Sequence, residues 1–374
     1  MASLSRPTDM IIQLDSSLLE VATLDLDGPG SVASMLELLA VAQREGNHLV
    51  FAEIAVIEGL LAVSTNYSQG VRSFLTRLIN KFAQVAHLAY GVGVKLVIGN
   101  FEQSEVELVG GVRNIKYPVS QVNSNLLQKT IILVENLSDA SFYAWLTEHV
   151  LSKGDYRYAT LSMEGYPGGG NTTGEAYDNI KVNHSRLCLC IVDSDIRVPG
   201  MSPGDTAKKI IASDKSMPNT RTAHHVIGAC SIENLVPIDF FDKAWAQEPE
   251  LFSRLELYRG LYNENNWRYL QLKKEIKCFD INGESAFAKY WRQILAVDEF
   301  HCERNGSVCE SKRDCKEIKL PALSSSPLNA AVSTLGSGYK EIAFALLPDI
   351  NDAWNAIARE VFSWCCGAQR NPTG

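Results

Sequence analysis

The stretch Leu187-Cys188-Leu189-Cys190-Ile191-Val192-Asp193-Ser194-Asp195 is apolar for six residues and then stops on two carboxylates. It reads as a buried strand whose end carries anions at the edge of a sheet. Two further stretches repeat the device in the same order along the chain. Ile131-Ile132-Leu133-Val134-Glu135-Asn136-Leu137-Ser138-Asp139 lies upstream and Ile232-Glu233-Asn234-Leu235 downstream. Anions gathered in this way need a cation between them. The pattern points to Mg²⁺-dependent phosphoryl chemistry.

Outward from these stretches, residues from 130 onward alternate strand and helix. Strands are expected at 130–134, 158–163, 187–192 and 223–228, with helices after Ser138 and around 175–180 and 207–212. Such alternation predicts an α/β fold with a central parallel sheet flanked by helices. Ligands then bind beyond the carboxyl ends of the strands, where the acidic residues stand. Residues 1–125 read as an α+β region serving as sensor, dimerisation surface or partner dock. There Ser31 caps a helix over 32–45, buried helices fill 50–92, and strands are expected at 94–98, 106–112 and 115–119. Residues 126–250 form the expected catalytic domain. From about 238 the chain reads as mostly helical, with helices at 238–262, 264–278, 284–298 and about 350–364, and residues 251–374 form the expected C-terminal region with a Cys-rich basic insert at 301–319.

The chain has 374 residues, 46% apolar and 21% charged, with a net charge of -8. That balance argues against a generic polyanion binder but leaves room for a local basic groove. The first residues lack the apolar core of a signal peptide, and no apolar run approaches the roughly 20 residues of a membrane span. Nine cysteines without secretory signals suit a reducing cytoplasm.

Asp193 and Asp195, with Glu135 and Glu233, make an oxygen-rich set suited to Mg²⁺ or Mn²⁺. The competing reading of Asp193 and Asp195 is a solvated strand end. Asp139 is either a further ligand or a first-turn helix acid favoured by the dipole. Gly168-Gly169-Gly170-Asn171 either brings backbone N–H groups to a phosphate or simply turns the chain. Lys273 either neutralises charge on a pentacovalent phosphate or sits on a solvated helix face. His224 and His225 read as a structural or surface pair, and Cys188 and Cys190 as core. Cys278, Cys302, Cys309 and Cys315, beside His301, would close a tetrahedral zinc site or be scattered thiols, since no CxxC pair is present. Lys312, Arg313, Lys316 and Lys319 either contact phosphate or form a solvated loop. No Gly-x-Ser-x-Gly motif supports a serine nucleophile.

Together, the three acidic elements resemble a TOPRIM domain, the catalytic unit of topoisomerases, primases and several nucleases. Leu133-Val134-Glu135 resembles its first element and Val192-Asp193-Ser194-Asp195 its second. Within that superfamily the chain resembles the nuclease branch related to the OLD family. Ile232-Glu233-Asn234-Leu235-Val236-Pro237, the Gly168–Asn171 turn and Leu272-Lys273-Lys274 each resemble elements of that branch. The resemblance covers about residues 128–280. Asn136 stands where that branch usually has Gly, and Asn tolerates left-handed backbone better than other side chains.

The resemblance implies a Mg²⁺- or Mn²⁺-dependent endonuclease acting on DNA or RNA. Glu135, Asp193, Asp195 and Glu233 would hold the metal with Asp139 in support, and Lys273 would assist catalysis. It also implies an effector role in defence against phage or mobile DNA. No Walker-type loop is present, so an ATPase or sensor would have to be a partner protein, and the chain is a candidate homo-oligomer. The alternative is a non-catalytic TOPRIM-like interaction module. A primase-like activity is the weakest reading.

Overall fold

The structure, a computed structural model, describes residues 10–22, 31–63, 67–91, 93–153, 158–295, 315–336 and 344–370. The chain is mixed α/β and divides into two compact units. The first comprises Met1–Ile191, Lys209–His225 and Asn355–Gly374; the second comprises Val192–Lys208 and Val226–Trp354. The cut therefore falls inside the segment 126–250, between Ile191 and Val192, one residue before the end of the apolar run that precedes Asp193.

The first unit opens with β1 (Met10–Leu14), α1 (Leu18–Ala22) and α2 (Val32–Arg44). Ser31 caps α2 as its sequence predicts, its Oγ accepting from the Ser34 N–H at 3.2 Å. The buried residues Val32, Met35, Leu36, Leu39 and Ala42 trace the inner stripe of that helix. A three-residue strand, β2 (Val50–Ala52), follows where the apolar spacing predicts helix. It is too short for a period to register, and β1 fixes it, pairing Ile12 with Val50 and Leu14 with Ala52. Then come α3 (Ile54–Ala62), α4 (Gln69–Gly91), β3 (Val94–Gly99), β4 (Glu105–Val109) and β5 (Val112–Pro118). The sheet order is β2-β1-β3-β5-β4, parallel except for the β4–β5 hairpin, whose turn uses Gly110 and Gly111 at positive φ.

A second sheet uses β6 (Thr130–Val134), β8 (Met163–Pro167), β9 (Cys188–Val192) and β10 (Thr222–Val226), in the order β10-β9-β6-β8. β6 is parallel to both β8 and β9. Every residue of β6 and β9 is buried, as expected of central strands covered on both faces. Ile131, Ile132, Leu133 and Val134 are each at most 1% exposed, which contributes about 1.5–3 kcal/mol per side chain. The flanking helices are α5 (Leu137–Leu151), α6 (Thr173–Asn183) and α7 (Asp205–Ser216). The single strand expected at 158–163 is instead two. Ser162 breaks it, and β7 (Ala159–Leu161) pairs antiparallel with a strand near the far end of the chain, Cys366–Ala368. Ile11, Phe51, Leu88, Leu151, Phe362 and Cys366 share one buried cluster in this unit.

The second unit holds α8 (Ile238–Ala244) and α9 (Pro249–Arg259). The segment 264–278 is not a helix. It contains a single 3₁₀ turn at Trp267–Tyr269, an irregular turn, and β11 (Ile276–Lys277), which pairs antiparallel with β12 (Ile318–Leu320). The Leu323 N–H donating to Leu272 O at 2.9 Å extends this non-local pairing. Then come α10 (Cys278–Ile281), α11 (Ala286–Ile294) and α12 (Pro327–Gly336). The last helix, α13 (Pro348–Cys365), leads into β13 (Cys366–Ala368). Among the described residues no helix is long and apolar enough to cross a membrane.

Candidate metal centre

β6 and β9 are parallel neighbours, so their carboxyl ends share one edge of the sheet. Glu135 is the next residue after β6, and Asp193 the next after β9. Glu135 is half-buried and belongs to the first unit. Its backbone carbonyl accepts from the Gly169 N–H at 3.1 Å, and that of Val134 accepts from Gly168 at 2.6 Å. The glycine turn thus spends these two N–H groups on the end of β6 rather than on a phosphate. Gly168 is required by space, since a Cβ there would lie 2.5 Å from the Thr173 hydroxyl; Gly169 is required by its φ of +77°.

Asp139 is 7% exposed. Its Oδ2 accepts from the Asn136 N–H at 2.9 Å, closing the first turn of α5. Asn136 is the N-cap of this helix with extended backbone (φ -135°). Of the two roles the sequence allows Asp139, the described geometry is that of a helix cap.

Asp193, Asp195, Glu233 and Lys273 all lie in the second unit. Asp193 Oδ1 accepts from the Ile232 N–H at 2.9 Å. Asp195 has φ +53°, the only non-glycine residue with positive φ among those described. Left-handed backbone is costly for a side-chain-bearing residue and is held by its surroundings. The holding groups are plain. The Asp195 N–H donates to Cys230 O at 2.9 Å, and Gly204 N–H donates to Ser194 O at 2.8 Å. Ser194, 1% exposed, donates to Ala229 O at 2.6 Å. The middle serine therefore anchors the loop, and the two aspartates flank it. Gly204 permits this arrangement, because a Cβ there would lie 2.6 Å from Asp195 Cβ. Sequence reasoning missed Gly204; its signal was a glycine directly before a helix start.

Glu233 stands on the 3₁₀ turn Ile232–Leu235. Asn234, fully buried, fixes that turn by donating to Trp267 O at 2.7 Å and Leu270 O at 2.9 Å, while its Oδ1 accepts from the Ser231 N–H at 2.9 Å. Trp267 Nε1 and Trp354 Nε1 donate back to Asn234 O and Leu235 O, both at 2.8 Å. The Glu-Asn pair thus divides its work: the amide pins the backbone and the carboxylate projects. Glu233 is 3% exposed. Its Oε1 lies 2.9 Å from Lys273 Nζ, and its Oε2 is buried without a hydrogen-bond partner. Lys273 sits in a turn, 42% exposed, rather than on a helix.

The three carboxylates of this unit act on a common neighbour. The buried Cys230 thiol is pushed up to about 12 by desolvation and then by the charges of Asp193, Asp195 and Glu233, with Arg197 opposing them. An oxygen donor set with one orphaned carboxylate oxygen fits a hard divalent cation. Among the described residues no group of three or more His, Cys, Asp and Glu side chains already stands in a metal-holding arrangement.

The remaining expectations resolve separately. Cys278 and Cys315 are both buried and share a small cluster, whereas Cys302, Cys309 and His301 lie outside the described residues. Lys312 and Arg313 also lie outside them, and Lys319 is ion-paired with Glu317 at 2.6 Å. His224, on β10, bonds Asp214 through Nδ1. Cys188 and Cys190 are core residues, both fully buried. The chain matches no protein-family model, no curated protein and no solved structure.

Proposed function

We propose that this chain is a metal-dependent endonuclease of TOPRIM type that hydrolyses phosphodiester bonds in DNA or RNA. The observation that carries the reading is the buried, unpartnered Oε2 of Glu233, in the unit that also holds Asp193 and Asp195. A buried carboxylate oxygen without a partner costs free energy of about 1–3 kcal/mol or more, and a cation removes that cost. Asp193, Asp195 and Glu233 are the proposed ligands here. A bound Mg²⁺ or Mn²⁺ supplies electrophilic assistance to the phosphodiester and a more acidic water. Lys273 pairs with the Glu233 carboxylate and presents an ammonium to substrate oxygens. A cytoplasmic effector in defence against phage or mobile DNA, working with a sensor or ATPase partner, is the biological setting that fits such a chemistry.

The second reading is a non-catalytic TOPRIM-like interaction module. It is favoured by the lack, among the described residues, of three side chains already poised for a metal. The deciding experiment incubates plasmid DNA and total tRNA with the protein in Mg²⁺, Mn²⁺ or EDTA, beside an Asp193→Ala/Asp195→Ala variant. Cleavage lost in EDTA and in the variant supports the nuclease and names its substrate. Neither cleavage nor metal binding supports the module.

A further inference from the structure

An open recess in the first unit is lined by α2, β2, α4 and residues near Tyr158 and Ala368. Its lining carries three cations, Arg44, Arg77 and Lys81, and no carboxylate among the described residues. This is unexpected in a chain where 43 acidic residues outnumber 35 basic ones. Arg44 ends α2, where it offsets the partial negative charge of the helix terminus. Arg77 and Lys81 stand in the middle of α4, away from a helix end. They lie four residues apart on α4, on one face, and like charges at that spacing repel. The 23 residues of α4 contain no Asp or Glu at all, so the usual interleaved ion pairs of a solvated face are missing. An anion bound between the two would relieve the repulsion.

The lining also includes the aromatic residues Phe51, Phe82 and Tyr158. Phe51 and Phe82 stack with centroids 5.5 Å apart, and Phe82 is only partly covered by the core beneath it. Tyr158 is 36% exposed. A bare inorganic anion has no use for such a surface, whereas a planar base does. We propose that this recess binds a nucleoside phosphate, with Arg77 and Lys81 on the phosphate and the Phe82 and Tyr158 side on the base. The ligand is either a free nucleotide or the terminal nucleotide of a strand, which present the same chemistry. The proposal does not depend on the nuclease reading, because none of these residues belongs to the carboxylate set.

The test is calorimetric titration of the full chain in EDTA, which silences any metal-dependent step. The probes are adenosine monophosphate, adenosine, inorganic phosphate, and a short single strand with a 5′-phosphate or a 5′-hydroxyl. The variants are Arg77→Glu/Lys81→Glu and the milder Arg77→Gln/Lys81→Gln, each checked by its melting curve. Expected is binding of a phosphorylated probe at least about tenfold tighter than adenosine or phosphate alone, weakened at least about tenfold in both variants. A tighter phosphorylated strand names a strand end as ligand; tighter monophosphate names a free nucleotide. No binding of either at millimolar concentration overturns the proposal. So does binding that the folded glutamine variant leaves unchanged, or that phosphate alone reproduces.

Discussion

Lys273 Nζ meets Glu233 Oε1 at 2.9 Å, so this ion pair engages one oxygen of a carboxylate whose other oxygen is buried and unsatisfied. The pair is asymmetric in solvent as well, the lysine side chain 42% exposed and the glutamate 4%. Water stabilises the exposed cation but cannot reach Oε2. On the proposed reading Glu233 is the carboxylate that gains most from a metal. Glu233→Gln is expected to abolish cleavage and to remove the Mn²⁺-induced rise in melting temperature. For the wild type that rise corresponds to about 2.7 kcal/mol at a hundredfold excess over Kd. An unchanged Mn²⁺ response in the variant would remove Glu233 from the ligand set.

Gly204→Ala tests the Asp195 loop without touching a carboxylate. The added methyl lands 2.6 Å from Asp195 Cβ, so the aspartate must move. Stability is expected to fall by about 1–3 kcal/mol, and cleavage, measured well below the melting temperature, by at least tenfold. Wild-type cleavage in a folded Gly204→Ala protein would show that the position of Asp195 is immaterial.

Asp139 separates capping from ligation. Asp139→Ala is expected to cost about 1 kcal/mol in denaturant unfolding, the usual worth of a cap, while cleavage of the folded variant stays within a few-fold. A loss beyond a hundredfold with unchanged stability would return Asp139 to the metal.

Stability should fall on acidification from about pH 6.5. Burial lowers His48 to about 4, and burial together with the charge of His224 does the same for His225. Both stay neutral in the fold, and His48 Nε2 lies 2.9 Å from Gln128 O. Their folded pKa lies below the unfolded one, so between about 6.5 and 4 the unfolded chain binds more protons and stability rises with pH. For one such histidine, stability changes by up to about 1.4 kcal/mol for each pH unit crossed in this window. Glu360, raised by burial, works in the opposite sense, so the comparison is between wild type and His48→Gln. The variant is expected to show a shallower dependence of the urea midpoint on pH across this window; an identical slope would refute the assignment.

Lys181 is a further test of the first unit. Its side chain is 1% exposed, and its ammonium lies 2.5 Å from Asp214, 3.0 Å from Ser213 and 4.4 Å from the Tyr177 ring centroid. Burial alone would raise the Asp214 carboxyl, but hydrogen bonds from His224, Lys181 and Tyr177 outweigh it and hold the group below its usual value. Lys181→Met leaves that carboxylate short of a partner and is expected to cost about 3 kcal/mol in urea unfolding. A change below about 0.5 kcal/mol, the scatter of surface substitutions, would mean that the pair contributes no net stability.

What could be read from the sequence was local. Ser31 before a helical stripe, and apolar runs such as 187–192, announce their own structure, because cap and period lie within a few residues. The misread segments depend on distant partners. Residues 264–278 carry aromatics at nearly helical spacing, yet Ile276 pairs with Leu320 and Leu272 with Leu323. Residues 158–163 look like one strand, but the Ser162 N–H donates to Cys365 O, some 200 positions later. For the candidate site, residue types were visible while their duties were not. The capping bond that Asp139 accepts from the Asn136 N–H is not visible in the residue type, and Gly204 had no meaning before Asp195 was found above it.

The first unit is written in pieces, with residues 192–208 and 226–354 intervening before Asn355. During synthesis the edge of β7 must wait for β13, and Thr130 Oγ must wait for Trp364 O, its partner at 2.5 Å. At roughly 5–20 residues per second the stretch from 192 to 354 delays that closure by about 10–30 s. For that interval the nascent chain displays an unpaired strand edge, the kind of surface that invites wrong pairing. Ribosome speed over this stretch, and chaperones that shield open sheet edges, thus become determinants of how much native protein is made.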